Sequence, residues 1–499
     1  MKKCIVALLI ALALLLPAFA QAVERGVYYE VFVRSYADSN GDGIGDLNGL
    51  TQKLDYLGSL QVKGIWLMPI FPSPSYHGYD VTDYRSIHPD YGTMADFEAF
   101  LAAAHERGMK VLLDIPFNHT SIGHPWFAKS RDPLSDKRDW YHWADASTAG
   151  IDLAQSVWGS RVWRESGGAW YYALFGEGMP DLNFETTAVR KEVISIVRYW
   201  LDKGVDGFRL DATSHIYAEG EFGRMQETDR SAQWWAEFLT AVKESHPDCY
   251  ILGEAWERVE RRAQLLRGLD SALNFDVGEY IIGLVKTGGS GKVYVQNLQK
   301  IYSAYAKVRE DVIDAPFLTN HDQNRLYGMV GARPERARMA ANMLLTLPGN
   351  PIVYYGEEIG MLGAKPDEEL RTPMLWGEGD PLQACWRVSR YNKAAKAAAQ
   401  QQGDPHSLLS HYKTLIALRN GHPALLTGTL SPFDAGNDVL AAYTMQGGGE
   451  TLHVIHNFTA REQAASVSSV LTTVYQSSEM VREGDAVTLP PYSTLIAGE

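Results

Sequence analysis

The sequence contains little cysteine and no excess of positive charge. Cysteine occurs three times among 499 residues, and one of the three, Cys4, belongs to the N-terminal segment described below. Cys249 and Cys385 are too few for a disulfide framework, and the sequence leaves open whether they pair. Acidic side chains outnumber basic ones, so the formal net charge is −14 at pH 7. A charge of this sign disfavours nucleic acids and anionic membranes as partners.

Long apolar runs are missing except at the N-terminus. Two lysines precede an apolar stretch at residues 5–16, and small residues follow it at 18–22. This order predicts a signal peptide over residues 1–22, cleaved after Ala22 or after Ala20. The apolar stretch is too short to span a bilayer, and no later run is long enough to do so. We therefore expect an exported, soluble protein, periplasmic or extracellular, that acts as a monomer.

Short β-branched and aromatic segments recur along the chain, separated by stretches with helical periodicity. Strands that alternate with helices at this spacing imply a parallel sheet with helices on the outside. The count of eight is that of an α/β fold of the (β/α)8 TIM-barrel type. An open doubly wound sheet would alternate in the same way, but its nucleotide-binding Gly-x-Gly-x-x-Gly turn is missing after the first strand. The predicted strands are 27–33, 63–69, 110–114, 204–211, 250–254, 272–275, 315–319 and 351–355.

Two stretches depart from this rhythm and predict further units. From about residue 120 to 185, tryptophan, glycine and polar residues dominate, which indicates an inserted subdomain or a lid after the third strand. From about residue 423, short strands alternate with glycine, asparagine and proline turns, which indicates a small antiparallel β-sandwich. The expected domains are the barrel (23–119 and 186–422), the inserted subdomain (120–185) and the C-terminal sandwich (423–499).

The stretch Gly204–Asp211 carries the strongest chemical signal. Side chains alternate across a strand, so Arg209 and Asp211 point to one face while Phe208 and Leu210 point to the other. The guanidinium would hold Asp211 ionised at the end of the strand, which makes this carboxylate a candidate nucleophile. A purely structural Arg–Asp pair is the alternative for this strand taken alone.

Other polar residues also stand at or just past the ends of predicted strands. The active site of a (β/α)8 barrel lies at the carboxyl ends of its strands. So many polar residues at these positions are hard to explain by structural roles alone. They are Asp114, Asn118, His119, Asp211, Glu254, His321 and Asp322.

A short acidic loop follows the first predicted strand and predicts a structural calcium site. Its spacing matches the first part of an EF-hand-like loop, with a backbone carbonyl at position seven. Glycine stands at position twelve, where a sensor loop has a bidentate glutamate. A metal-free turn of Asp, Asn and Gly is the alternative. The expected Ca²⁺ ligands are Asp38, Asn40, Asp42, Ile44 and Asp46.

Four segments, taken in order, resemble the signature stretches of the α-amylase family of glycoside hydrolases. The likeness covers nearly the whole chain after residue 22, and the combination is specific although each segment alone is weak. The segment MPDLN resembles that of α-amylases intermediate between oligo-1,6-glucosidases and neopullulanases, and GIWLMPIFPS and GNPIVYYGEEIG are also similar to family segments. The four main segments are DIPFNH (114–119), GFRLDATSH (207–215), LGEAW (252–256) and FLTNHD (317–322).

The resemblance implies a role for individual residues. Asp211 would be the nucleophile, Glu254 the general acid/base and Asp322 the stabiliser of the transition state. The acidic loop is similar to the calcium loop of the α-glucosidase branch. The residues that would line the sugar at the cleavage point are Tyr79, His119, Arg209 and His321.

Two positions bear on specificity. Ala212 stands where family members that cleave α-1,6 bonds tend to have valine, which favours α-1,4 bonds. Ser214 stands where many α-amylases have a lysine that holds the leaving-group sugar, so this chain lacks that contact. The resemblance implies an endo-acting α-amylase. The alternatives are an α-glucosidase, a maltogenic or cyclodextrin-degrading hydrolase, and a non-catalytic α-glucan-binding protein.

The chemistry of glycoside cleavage gives an expectation for the protonation states. The reaction needs a protonated acid and an ionised carboxylate on either side of one bond. Crowding by Asp211 and Asp322 should raise the pKa of Glu254, so that Glu254 keeps a proton to donate. A covalent glycosyl-enzyme on Asp211 would then give net retention of the α configuration.

Overall fold

The computed structural model describes residues 23–148, 150–217 and 228–499. The predicted signal peptide, residues 1–22, lies outside the described residues. Across these three ranges no helix combines the length and the apolar character that a membrane span needs. Cys249 is buried, Cys385 is exposed, and both are free thiols, which answers the question of pairing that the sequence leaves open.

Eight parallel strands form the central barrel, as the sequence predicts. Each strand pairs with the next from the first to the seventh, and the eighth pairs with the first. A parallel bridge between Phe317 and Ile352 joins the end of the seventh strand to the eighth and closes the ring. The strands are Tyr28–Val31, Gly64–Leu67, Lys110–Ile115, Gly207–Leu210, Tyr250–Gly253, Ser271–Asn274, Ile313–Pro316 and Ile352–Tyr354.

Helices connect the barrel strands. The helix Met94–Glu106 begins at Thr93 with a capping box and buries Phe97, Leu101 and Ala104 along a single face. The other longer helices are Leu47–Gln52, Leu54–Leu60, Thr187–Asp202, Thr228–Lys243, Val259–Leu265, Phe275–Thr287, Gly291–Ala306, Pro334–Leu345 and Leu408–Gly421. The shorter helical segments are Val33–Tyr36, Pro89–Tyr91, Pro125–Ser130, Arg138–Trp140, Leu326–Met329, Asp367–Leu370, Asn392–Ala394, Ala398–Gln401 and Pro423–Thr427.

One predicted helix is divided in the structure. The sequence pattern predicts a continuous helix over residues 47–60. The chain instead leaves helical geometry at Lys53, where ψ is 4°, and the helix starts again at Leu54. The Lys53 ammonium lies over the ring of Trp376 and 2.7 Å from a carboxylate oxygen of Asp380.

The residues between the third and fourth barrel strands form a small β unit with its own core. Its strands are Trp143–Ala144, Ser156–Val157, Ser160–Arg161, Trp163–Ser166 and Ala169–Tyr172. The buried core includes Val162, Trp163 and Leu174. An antiparallel bridge between Asp181 and His119 ties this unit to the end of the third barrel strand. The inserted unit is therefore held against the end of the barrel where the predicted site residues lie.

The C-terminal residues form two packed antiparallel sheets, as the turn-rich sequence predicts. One sheet contains Thr429–Pro432, Ala441–Gly447, Glu450–Asn457, Thr472–Gln476 and Ser493–Gly498. The other contains Gln463–Ser466, Val481–Glu483 and Ala486–Leu489. Ile455, Leu489 and Leu495 are buried between them. A hydrogen bond of 2.7 Å between the hydroxyls of Thr346 and Tyr443 joins this unit to the barrel.

Candidate active site

Arg209 lies at the centre of a cluster of carboxyl groups from three neighbouring strands. Its two apolar neighbours on the fourth strand are buried in the core, and its own side chain is buried as well. Its Nη1 donates to Oδ1 of Asp114 at 2.8 Å and to Oδ1 of Asp211 at 2.6 Å. Its Nη2 lies 3.0 Å from Oε2 of Glu254. One guanidinium therefore serves three carboxyl groups.

The chain turns sharply just after Asp211. Ala212 has φ of 48°, a left-handed conformation that residues with a Cβ rarely adopt. The Ala212 N–H donates to Oε2 of Glu254 at 3.0 Å, and the Thr213 N–H donates to the carbonyl of Glu254 at 3.1 Å. This strained turn fixes the ends of the fourth and fifth strands relative to each other, and with them Asp211 and Glu254.

The three predicted catalytic acids are the part of this cluster that solvent reaches. The exposed fraction of the side chain is 12% for Asp211, 14% for Glu254 and 32% for Asp322. It is 0% for both Arg209 and Asp114, which lie behind them. A bound molecule therefore has access to the acids, while the guanidinium supports them from the interior.

The electrostatics of the cluster favour a proton on Glu254. Burial raises the pKa of Glu254, Arg209 opposes the increase, and the charges of Asp211 and Asp322 add to it, so that the pKa is about 7. Burial also raises the pKa of Asp211, against the charge of Arg209. Because Asp211 makes the shorter bond to Arg209, we assign the ionised form to Asp211 and the shared proton to Glu254.

Asp322 has a different environment from the other two acids. Its Oδ2 lies 3.2 Å from Nε2 of His321, and its Oδ1 accepts a hydrogen bond of 2.8 Å from Nη2 of Arg371. Burial by itself would raise the pKa of Asp322, but His321 and Arg371 hold it well below its usual range. Asp322 is therefore ionised when Glu254 is protonated.

A buried glutamate that was not identified from the sequence supports His321. Glu30, on the first strand, is fully buried, and its Oε1 lies 2.5 Å from Nδ1 of His321. Burial opposes a charged imidazole, but Asp322 and Glu30 raise the pKa of His321 to about 10. The signal that could have identified Glu30 is a lone acid in the middle of an otherwise apolar strand.

Tyr79 and His119, both predicted to line the sugar, are close to these residues. The hydroxyl of Tyr79 donates to Oδ2 of Asp114 at 2.9 Å and lies 2.7 Å from Nε2 of His321. Burial lowers the pKa of His119 to about 4, so its ring is neutral. Its Nε2 donates to the carbonyl of Tyr79 at 3.2 Å, which leaves Nδ1 as an acceptor. That buried Nδ1 has no hydrogen-bond partner in the structure, and a sugar hydroxyl could supply the missing donor.

The predicted calcium loop forms a tight series of turns. Asp38 accepts the N–H of Gly43 at 2.7 Å, and Asn40 accepts that of Asp42 at 2.8 Å. Asp42 in turn accepts the N–H of Ile44 at 2.7 Å. All predicted ligands offer oxygen, which is the donor that Ca²⁺ prefers, so the donor set fits this ion. Within the described ranges, however, no three side chains of His, Cys, Asp or Glu are gathered as a metal site, and calcium stays a prediction.

Comparisons with known proteins agree with this fold. The family described as "Alpha amylase, catalytic domain" matches residues 30–428, and the "Alpha-amylase SusG C-terminal domain" matches residues 440–496. Alpha-amylase 3 of Dictyoglomus thermophilum is 39% identical over 480 residues, which are 95% of this chain and 93% of that protein. An oligo-1,6-glucosidase of Parageobacillus thermoglucosidasius is 30% identical over 531 residues, covering 92% and 94% of the two chains.

A solved structure extends the likeness to three dimensions. The crystal structure of an α-amylase from H. orenii superimposes with a TM-score of 0.87 at 42% identity, and covers 95% of this chain and 99% of its own. The relatives also include 4-alpha-glucanotransferases of Thermotoga. The likeness therefore extends over the barrel, the inserted unit and the C-terminal sheets together, and the chain belongs to the α-amylase family of glycoside hydrolases.

Proposed function

We propose that this family member is an exported, retaining, endo-acting α-amylase that hydrolyses α-1,4-glucosidic bonds in starch, maltodextrins and related α-glucans. The observation that carries the proposal is the contrast in protonation between Glu254, whose pKa is about 7, and Asp211, which is hydrogen-bonded to Arg209. One protonated and one ionised carboxyl group are what a double displacement at a glycosidic bond requires.

The reaction takes place in two steps at the anomeric carbon. First, a carboxylate oxygen of Asp211 attacks this carbon, the glycosidic bond breaks, and Glu254 gives its proton to the departing oxygen. Glu254, now ionised, then takes a proton from water, and the water oxygen displaces Asp211 from the sugar. Two inversions give a product with the original α configuration.

The remaining residues hold the sugar ring while positive charge develops on it. Asp322, kept ionised by His321 and Arg371, stabilises this charge in the oxocarbenium-like transition state. The neutral His119 accepts a hydrogen bond from a sugar hydroxyl at Nδ1. Tyr79 and His321, whose rings stack with centroids 5.5 Å apart, supply an aromatic wall and further hydrogen-bonding groups.

The configuration of the first product and the loss of the nucleophile test this mechanism. We expect NMR to detect the α-anomer first, and Asp211→Ala to lower kcat on the order of 10⁴-fold because the covalent step is lost. Asp55→Ala is the control, since the Asp55 side chain is 84% exposed on an outer helix, and it should keep full activity. An initial β-anomer, or an Asp211→Ala enzyme within tenfold of wild type, would rule the mechanism out.

The relatives named oligo-1,6-glucosidase and 4-alpha-glucanotransferase keep a second assignment open, an exo-acting, maltogenic or cyclodextrin-degrading enzyme. Parallel reactions on amylose, pullulan and cyclodextrin separate these activities. An endo-acting enzyme abolishes the viscosity and iodine staining of amylose before much glucose appears. Binding of maltooligosaccharides without release of reducing ends would instead indicate a non-catalytic α-glucan-binding protein.

The calcium loop adds a structural proposal. Asp38, Asn40, Asp42 and Asp46 would hold the ion by side-chain oxygens and Ile44 by its carbonyl, which would offset the repulsion among three carboxylates. We expect millimolar Ca²⁺ to raise the Tm of the wild-type protein over that in chelator, and to have no such effect on Asp42→Ala. Equal Tm values in Ca²⁺ and in chelator would contradict the site.

Export is the remaining part of the proposal. Residues 1–22 carry the basic, apolar and small-residue regions of a signal peptide. Mass spectrometry of the secreted or periplasmic protein should find an N-terminus at Val23 and a monomeric mass. Deletion of residues 2–22 should leave the active enzyme in the cytoplasm, and a full-length chain recovered from the cytoplasm would contradict the assignment.

A further inference from the structure

A two-residue hairpin in the inserted unit presents a tryptophan to solvent. Trp158 and Gly159 connect the paired strands Ser156–Val157 and Ser160–Arg161, and their φ values are 50° and 79°. Two positive φ values are typical of a type I′ turn, for which asparagine, aspartate and glycine are the favoured residues. The Trp158 side chain is 68% exposed. Neither turn formation nor core packing therefore explains an indole at this position.

The indole lies beside the candidate active site. Its ring centroid is 5.7 Å from that of Phe175 and 5.7 Å from that of His215. Phe175 is also 5.2 Å from the ring of His119, one of the residues predicted to line the sugar. His215 belongs to the loop that begins directly after the nucleophile, Asp211. Trp158 thus contacts the loop that follows the nucleophile directly and is separated from His119 by one aromatic ring, that of Phe175.

The contact with His215 places the indole on the side of the acid. The loop from Ala212 to His215 is hydrogen-bonded to both the carboxylate and the carbonyl of Glu254. Because the acid protonates the departing oxygen, the sugar on this side is part of the leaving group. Burial lowers the pKa of His215 to about 4, so the surface formed by these rings is uncharged.

We propose that Trp158, supported by Phe175 and His215, forms a binding subsite for a glucose unit of the leaving group. The inference deepens the proposed function and depends on it. A flat indole suits a pyranose ring, because the C–H face of the sugar can stack on the aromatic face while its hydroxyls point outward to solvent. The ligand is the reducing-end portion of an α-1,4-linked glucan, from the sugar next to the cleaved bond outward.

The experiment compares a long glucan with a substrate that has no sugar in its leaving group. Trp158→Asn removes the ring but retains a residue that tolerates positive φ, and Trp158→Phe retains an aromatic ring. With maltoheptaose labelled at the reducing end, we expect Trp158→Asn to lower kcat/KM about tenfold, chiefly through KM. Cleavage should also move toward the reducing end, since long leaving groups lose their contact. With a nitrophenyl α-maltoside that releases nitrophenol, kcat/KM should stay within about twofold of wild type.

Two further variants serve as controls for the proposed subsite. Trp158→Phe should restore most of the activity on maltoheptaose. Leu134→Ala removes a 94% exposed apolar side chain from the same inserted unit, and it should leave kcat/KM unchanged on both substrates. An unchanged cleavage pattern for Trp158→Asn, or an equal loss on both substrates, would overturn the subsite and leave the proposed function standing. A wild-type enzyme inactive on both substrates would overturn the proposed function and the subsite together.

Discussion

The two halves of the candidate active site have opposite ratios of cation to predicted catalytic carboxylate. In one half, the single guanidinium of Arg209 contacts the exposed acids Asp211 and Glu254 as well as a buried aspartate. In the other half, two cations, His321 and Arg371, contact one predicted catalytic acid, Asp322, and Arg371 also lies 3.5 Å from a carboxylate oxygen of Asp367.

This difference decides which acid carries the proton. In the cation-poor half the pKa of Glu254 is about 7, and in the cation-rich half the pKa of Asp322 lies well below its usual range. The exposed fraction is 14% for Glu254 and 32% for Asp322, but burial acts to raise the pKa of both groups, so burial alone cannot give shifts in opposite directions. The number of positive charges within hydrogen-bonding distance separates an acid catalyst from a permanent anion.

The largest expected effect comes from removing the proton donor of the cation-poor half. Glu254→Gln should lower kcat/KM on starch on the order of 10³-fold, because the departing oxygen no longer receives a proton. The loss should be much smaller on a nitrophenyl maltoside, whose leaving group departs without protonation. Steady-state kinetics on the two substrates measure the difference.

The stability of Glu254→Gln as a function of pH tests whether the pKa of Glu254 is raised in the folded protein. The pKa of Glu254 is raised from 4.5 to about 7 in the folded state, so its contribution to the free energy of unfolding is complete below pH 4.5 and is lost as the pH rises through about 7. Glu254→Gln should therefore be more stable than wild type above pH 7.

Glu357→Gln is the matched control for the loss of activity. Burial also raises the pKa of Glu357 to about 8, but Glu357 bonds Tyr412 and not a site residue, so this variant should keep its activity. If Glu254→Gln lost equal activity on starch and on the nitrophenyl maltoside, the role of Glu254 as the acid would be contradicted.

The sequence predicts the barrel, the exposed acids and Arg209 better than it predicts Glu30 and Arg371, which support His321 and Asp322. The eight strands follow from local composition and spacing, and the end of a strand locates Asp211 and Glu254. The catalytic roles come from the family resemblance, because no local pattern distinguishes an acid catalyst from a nucleophile. Relative protonation depends on distances between strands far apart in the chain, which only the folded structure supplies.

Arg371 and Trp158 show why the remaining parts of the site could not be predicted. Arg371 reaches Asp322 from a loop with no periodic pattern, 49 residues further along the chain. Trp158 lies in a stretch that the sequence identifies only as an irregular insertion. Glu30 is an intermediate case, since its position in an apolar strand is unusual but its partner, His321, is 291 residues away.

The next prediction tests the support of the cation-rich half. Glu30→Gln removes the charge 2.5 Å from His321 and should lower kcat/KM about tenfold, because the imidazole is less firmly charged and oriented. Asp322 and Glu30 raise the pKa of His321 from 6.5 to about 10, so the stabilisation is complete below pH 6.5 and is lost as the pH rises through about 10. The variant should therefore be less stable than wild type at pH 6, and the difference should disappear as the pH approaches 10.

Denaturant unfolding across this pH range measures the effect. Glu358→Gln is the matched control, because Glu358 is also fully buried but bonds the hydroxyls of Tyr29 and Tyr56 rather than a site residue. It should keep the activity that Glu30→Gln loses. A destabilisation by Glu30→Gln that is the same at pH 6 and pH 10 would show that Glu30 does not hold the charge on His321.

The smallest expected effect comes from removing one of the two cations around Asp322. Arg371→Met should raise the pKa of Asp322, because the bond of 2.8 Å from Nη2 is lost while His321 remains. The carboxyl group of Asp322, followed by NMR, should then titrate about one pH unit higher than in the wild type, whereas Arg371→Lys, which keeps the charge, should move the titration less.

The pH dependence of stability compares the pKa of Asp322 in wild type and in Arg371→Met without a measurement of catalysis. The depressed pKa of Asp322 contributes stability that is present above its unfolded value of 3.8 and is lost as the pH falls through the folded value. In Arg371→Met this loss should be smaller and should end at a higher pH than in wild type. If the titration of Asp322 and the unfolding profile of Arg371→Met both coincide with those of wild type, then His321 alone keeps Asp322 ionised. The ratio of cations to carboxylates would then not be what distinguishes the two halves of the site.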